Sequence, residues 1–164
     1  MTTNIDLAKA VSSKVEIESV SIRQCSFRAG FEAGSLPAEL ALSQRYSASC
    51  DDSRLESEEI LIVKVSFGFS ARQPDEDEEL EMMVIEADFD IIYSLHGEND
   101  FTQECLTHFA DVNGPYNAWP YWRELVSSCS ARVGLSSITV PVYRPRAFEI
   151  PEDVNSEAET GSSV

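Results

Sequence analysis

The 164-residue sequence has little of what usually carries chemistry. It has two histidines, and its four cysteines (Cys25, Cys50, Cys105 and Cys129) form no CxxC pair, which excludes a dithiol redox motif and reads as reduced thiols in a cytoplasmic protein. No GxGxxG or Walker-type loop is present, and Ser127, Ser128, Ser130, Ser136 and Ser137 lack a GxSxG context. No apolar run approaches the roughly 18 residues of a membrane span, and the N-terminus MTTNIDLAKAVSSKVEI has no basic stretch followed by an apolar one. Positive charge is scarce, 12 basic against 29 acidic residues for a net charge of −17. That balance disfavours nucleic acid and anionic membranes and suits a partner that is basic or charge-indifferent.

What is present is a core for one domain, with 43% apolar residues. Residues 1–13 read as a polar leader with at most one or two helical turns, 14–150 as the domain, and the acidic, apolar-poor 151–164 as a disordered tail. Lys14 to Phe31 reads as a long first strand whose apolar phase slips: Val15 and Ile17 share a face, Val20 and Ile22 take the opposite parity, and Cys25 and Phe27 return to the first. Such slips mark β-bulges. A loop over Arg28–Ala38 precedes a second strand, Leu40 to Cys50. Glu59 to Arg72 alternates strictly, and Leu80 to Leu95 follows the acidic turn at 73–79. Short connections make this four-stranded sheet antiparallel.

Two helices are expected next, an α+β fold. Asp100 has capping-box spacing, and Asn117 is a second N-cap with Pro120 in the first turn. Ala118, Trp122, Leu125, Val126, Cys129 and Val133 then recur on one stripe, and Gly134 stops the helix. Ile138 to Val142 is extended, and prolines at 141, 145 and 151 oppose further helix. Strands apolar on both faces exceed what two helices can bury, so some apolar surface is left for a partner.

Candidate chemistry is thin. Glu104, Cys105 and His108 could start a metal site, but no spacing supplies further ligands. Glu86, Asp88 and Asp90 form an acidic stripe without nucleophile, glycine loop or basic clamp, which reads as a solvated edge or docking patch. No catalytic residue, metal or cofactor is assigned. The aromatics Trp119, Tyr121 and Trp122 fit either core and oligomer interface or the lining of a peptide groove. Groove candidates are Phe27, Phe31 and Leu36 around a glycine-containing loop, with Tyr143 and Phe148 on another wall.

This order of parts resembles the SecB family of export chaperones. Trp119-Pro120-Tyr121-Trp122-Arg123-Glu124 is similar to the family's F-P-Y-A-R-E, Ser130-Ala131-Arg132-Val133-Gly134 to V-S-R-G, and Ile138 to Val142 to its L-x-L-x-P-V segment. Ile92-Tyr93-Ser94-Leu95 resembles I-F-S-I, and Ser26-Phe27 the S-F ending the first strand. The resemblance implies a homotetramer, a dimer of dimers joined through first strands and long helices, that holds unfolded chains in apolar grooves without ATP. Carried onto this chain, Val15, Ile17, Trp119, Trp122, Leu125, Val126 and Cys129 belong to the oligomer interface. A negative surface would favour clients mixing apolar and basic residues. The family's final helix is shortened or missing here, at Tyr143-Arg144-Pro145-Arg146. Of the acidic positions that dock the motor SecA in export members, two hold Gln24 and Arg28 and only Glu86 is retained, which puts SecA binding in doubt. The tryptophan-rich helix start is closer to SecB-like chaperones of toxin–antitoxin systems. The expectation is a holdase, with an antitoxin as client; general preprotein export, or a scaffold for one fixed partner, is the alternative.

Overall fold

The computed structural model describes residues 2–31, 36–74, 81–135 and 138–150. The run 75–79, Leu80 and the tail 151–164, with the turn and disorder expected of them, lie outside the described residues. The elements are α1 (Asn4–Ser12), β1 (Val15–Ala29), β2 (Ala41–Asp51), α2 (Leu55–Glu58), β3 (Ile60–Arg72), β4 (Glu81–Leu95) and α3 (Gln103–Arg132). The strands form one antiparallel sheet in the order β1-β4-β3-β2.

Both parity slips in β1 are bulges. The register with β4 breaks between Ile17 and Ser19 and again between Ile22 and Gln24. Each extra residue turns the strand by one face, so Val20, Ile22 and Phe27 oppose Ile91, Phe89 and Ile85 and keep to the core side. On that side Leu61, Val63, Val65 and Phe67 of β3 and Ile85, Phe89, Ile91 and Tyr93 of β4 are buried. The opposite side is tiled with polar groups. Arg45 passes over Gly68 to reach Glu86 at 2.6 Å, the Ser66 hydroxyl donates to Asp88 at 2.6 Å, and Lys64 pairs with Asp51 at 2.7 Å. Hydrogen bonds from Lys64 and Ser53 hold the Asp51 carboxyl down at about 2. Such exposed pairs contribute about 0–1 kcal/mol each, so they solubilise this face more than they stabilise it.

The two expected helices are one. α3 runs 30 residues without a break and carries Pro115 and Pro120 inside it. Its cap is Thr102, whose hydroxyl accepts the Cys105 N–H at 3.2 Å, whereas Asp100 pairs with Lys14 and Asn117 lies mid-helix. A proline cannot donate to the carbonyl four residues back, so Asp111 and Tyr116 lose their helical partners. The Asp111 carbonyl accepts the Tyr143 hydroxyl at 3.3 Å instead, and Tyr116 lies on the exposed side. The helix continues because packing holds it on both sides of the prolines: Phe109 meets Tyr93 edge-on, and Trp122 stacks on Phe67 with centroids 5.1 Å apart. Gly134, at φ +81°, ends it as expected.

The leader is part of the domain. Thr3 and Asp6 form a capping box, and α1 buries Asn4, Ala8 and Val11 while packing on α3. Nine residues are too few for an isolated helix, so α1 depends on that contact.

A helix is about 10 Å wide and strands lie about 4.8 Å apart, so one helix cannot roof four strands. α3 lies over β3, β4 and the Ala48–Cys50 end of β2 and barely touches β1. The inward side chains of the outer strands stay open, with Ile22 of β1 50% and Leu42 of β2 51% exposed. The leftover apolar surface thus lies at the two edges, not on the second face of the central strands.

The helix approaches closest at Gly114, where an added Cβ would lie 2.8 Å from Val63 Cγ1 and 3.0 Å from Val65 Cγ2. Neither methyl can swing away, since valine is stiff at χ1. Overpacking costs about 1–3 kcal/mol, against a helix-propensity gain of about 1 kcal/mol over glycine. Gly114→Ala is therefore expected to destabilise by about 1 kcal/mol in urea unfolding. Gly30→Ala, with no atom within 4 Å of the added Cβ, is the neutral control.

Candidate functional site

After α3 the chain runs back along the molecule through residues 138–150 without joining the sheet. Side chains pin it down. The Trp119 indole N–H donates to the Pro141 carbonyl at 2.6 Å, and Tyr143 donates to Asp111 as above. Asn4, only 3% exposed, does most at the far end. Its amide Nδ2 donates to the Arg146 carbonyl at 3.0 Å, its Oδ1 accepts the Phe148 N–H at 2.9 Å, and its own N–H donates to the Phe148 carbonyl at 3.2 Å. A further bond from Ile150 N–H to the Thr2 carbonyl completes the tie.

Held this way, the segment stands off from β2 and leaves a groove of about 880 Å³. One wall is Val142, Tyr143 and Phe148, the other Gln44, Tyr46, Ser47 and Ala48, and the floor includes Trp119 and Val112. Residues of both parities on β2 line it, so the groove opens along the free edge of that strand, which among the described residues pairs only with β3. Tyr46 meets Trp119 and Tyr143 edge-on, at 6.2 and 5.6 Å between centroids, and Trp119 lies 5.6 Å from Phe67. The aromatic lining is thus continuous with the core and rigid. Val142 and Phe148 are 66% and 56% exposed, unusual for side chains so apolar. Burial, with the Tyr46 hydroxyl adding to it, pushes the Tyr143 phenol up, so it remains a hydrogen-bond donor at physiological pH. Burial also raises the Asp111 carboxyl.

Of the sequence-predicted groove residues, Tyr143 and Phe148 line this groove. The others are not brought to it. Phe27 lies on β1, the opposite edge and about 14 Å away across three strand spacings. Phe31 packs half-buried against the core, and Leu36 sits exposed near Gly134. Of the residues expected at an interface, Trp119, Trp122, Val126 and Cys129 are buried between α3 and the sheet within the subunit, the core part of that expectation, and Trp119 also lines the groove. Their stripe is where the helix meets its own sheet, not a second helix. Leu125 is half-buried, Val15 is half-buried, and Ile17 is exposed on the open face of β1. Glu86 is engaged by Arg45. Sequence reading missed Tyr46, Val142 and Asn4. Tyr46 has inward parity in β2, and only the strand's place at the edge, which the sequence does not state, turns an inward position into a groove position.

The Cys105 sulfur takes the Thr102 hydroxyl at 3.2 Å, and His108 lies against the Phe148 ring at 5.9 Å. Among the described residues, no three His, Cys, Asp or Glu side chains gather as a metal site would require, and no helix is long and apolar enough to cross a membrane.

No family model and no curated protein sequence matches the chain. Among solved structures, it is similar to Rv1957, a SecB-like chaperone of Mycobacterium tuberculosis in complex with a ChAD peptide from the HigA1 antitoxin. The TM-score is 0.72 at 17% identity, over 85% of this chain and 99% of that one. The chain has a SecB-like fold. A Streptococcus agalactiae protein of unknown function also aligns, with a TM-score of 0.41 at 13% identity over 78% of this chain and 97% of the other, too low to carry an argument. After α3 the chain supplies the extended wall of the groove.

The wall depends on Asn4. Asn4→Ala removes two hydrogen bonds and leaves buried groups unpaired, a loss of about 1–3 kcal/mol. Hydrogen exchange should show the Phe148 amide losing protection, while amides in the centre of β3 change little.

Proposed function

We propose that this chain is an ATP-independent holdase that binds unfolded or aggregation-prone polypeptide segments, in extended form, along the groove between β2 and residues 141–148. The observation that carries this reading is the groove itself: fixed aromatic walls with exposed Val142 and Phe148, open along a free strand edge. Apolar walls take side chains of many shapes, and a free strand edge offers main-chain hydrogen bonds to any sequence, which suits a binder of varied segments. No bond-making step is part of this reading. The chaperone of the same fold from Mycobacterium is solved with an antitoxin peptide, and an antitoxin is the client class we carry to this chain.

In this proposal the protein works in the cytoplasm with its four cysteines free, as a dimer of dimers. Exposed Ile17 and half-buried Val15 on β1 join subunits, and half-buried Leu125 contributes from α3. Phe27, Phe31 and Leu36 add client contacts on that side. Glu86, paired with Arg45, is the proposed docking position for a motor such as SecA, with export delivery as the alternative role.

Two measurements test the reading. Val142→Ser with Phe148→Ser removes exposed apolar surface worth about 1.5–3 kcal/mol per fully buried side chain. The double variant is expected to need roughly tenfold more protein to suppress aggregation of a reduced, unfolded client without nucleotide, at unchanged oligomer mass. Unchanged suppression would place binding elsewhere. For assembly, Cys25 lies exposed beside the proposed β1 interface. Its alkylation should be slow at concentrations where light scattering gives an oligomer and fast on dilution. Cys50, whose thiol burial and the carboxylates of Asp52 and Asp51 push up to about 12, should stay unmodified at pH 8 throughout. Concentration-independent labelling of Cys25 would remove β1 from the interface.

A further inference from the structure

We propose that the groove selects acidic clients: its preferred occupant is an extended segment carrying carboxylates beside aromatic or aliphatic side chains. The inference rests on the peptide-binding reading above and gives it a substrate class. It reverses the expectation drawn from net charge, which favoured basic segments.

Among the described residues, the charged side chains lining the groove are Arg144, Arg146 and Asp111. Both arginines are exposed, and among the described residues neither is in an ion pair. Arg23, Arg28, Arg45, Arg54, Lys14 and Lys64 are each paired with a carboxylate, whereas Lys9, Arg123 and Arg132, like the two groove arginines, are in no ion pair among the described residues; what sets Arg144 and Arg146 apart is their place on the aromatic trough. In a chain with 29 acidic residues to 12 basic, two cations left open beside an aromatic trough form a local site of inverted sign.

Spacing adds direction. Arg144 and Arg146 are two residues apart on the same wall, which matches alternate side chains, about 6.6 Å apart, of an extended strand lying alongside. A guanidinium presents a planar fork that fits a carboxylate through two hydrogen bonds. The opposing charge is a single carboxylate, Asp111, against two guanidinium groups. Distance then settles the contest with the overall charge of −17. At physiological ionic strength charges more than about 8 Å apart are largely screened, so a bound segment responds to the two contacting arginines more than to carboxylates spread over the rest of the surface.

The test uses the full chain and three fluorescein-labelled peptides on one frame of leucine, phenylalanine and small polar residues. They differ only in having aspartate, serine or lysine at the same pair of alternate positions. Fluorescence anisotropy at physiological salt is expected to rank them aspartate, serine, lysine, with the aspartate peptide about fivefold tighter than the serine one, the scale of two exposed ion pairs. Arg144→Ala with Arg146→Ala should erase that gap and leave serine-peptide affinity unchanged. Since both side chains are exposed, the variant keeps its fold, which circular dichroism checks. Lysine binding as well as or better than aspartate overturns the inference, as does a preference that survives the double substitution. If the serine peptide also fails to bind and Val142→Ser with Phe148→Ser leaves holding intact, the groove reading falls and takes this one with it. Serine-peptide binding without acid preference sinks the present inference alone.

Discussion

One helix laid on four strands is the constraint from which the rest of this structure follows. α3 can roof the middle of the sheet but not both margins, and the contact at Gly114 brings it down hard over β2 and β3. Most of the core is buried beneath it, with Trp122 on Phe67 as the central stack. Everything left unfinished is at the edges. On one side the core-side row of β1 is only partly covered, with Ile17, Ile22 and Phe27 exposed and Val15 and Val20 half-buried; on the other, the returning C-terminal segment half covers β2 and leaves a trough. The fold therefore produces two open apolar margins without any residue being misplaced. Their different finishes, bare on one side and walled on the other, separate a surface fit for another subunit from one fit for a flexible chain.

The sheet was largely legible in the amino-acid order. Period-two alternation is a strong signal, and a parity slip has few meanings, so even the bulges flanking Val20 and Ile22 could be placed within a residue or so. The helices were less legible for a specific reason. Pro115 and Pro120 read locally as a break, and local rules cannot see that Tyr143 supplies a donor to the Asp111 carbonyl from 32 residues away. The same blindness affected Trp119 and Trp122. Aromatics near a helix start are ambiguous between core and contact surface until the sheet beneath them is placed, and here their rings go inward. The groove was half readable. Tyr143 and Phe148 sit in a proline-rich stretch with no helix to bury them, but Tyr46 is an ordinary inward strand position until the strand's place at the margin is known.

Electrostatics divides the molecule in a way that composition hides. Averaged over the chain the charge is strongly negative, yet the polar face of the sheet is a lattice of matched pairs from Arg23 to Lys64. Net charge governs solubility and long-range encounter; local pairing governs contact. A protein can be acidic as a whole and still present cations where a partner lies.

The tie made by Asn4 joins residues 144 positions apart, almost the two ends of the described chain. During synthesis the sheet and α3 can form before the stretch around Phe148 has left the ribosome, but the trough cannot, because its outer wall has not yet been made. The trough is therefore complete only once α1 and residues 146–148 are both in place. Fraying at either end of the described chain would accordingly open the trough while the sheet and α3 stay folded.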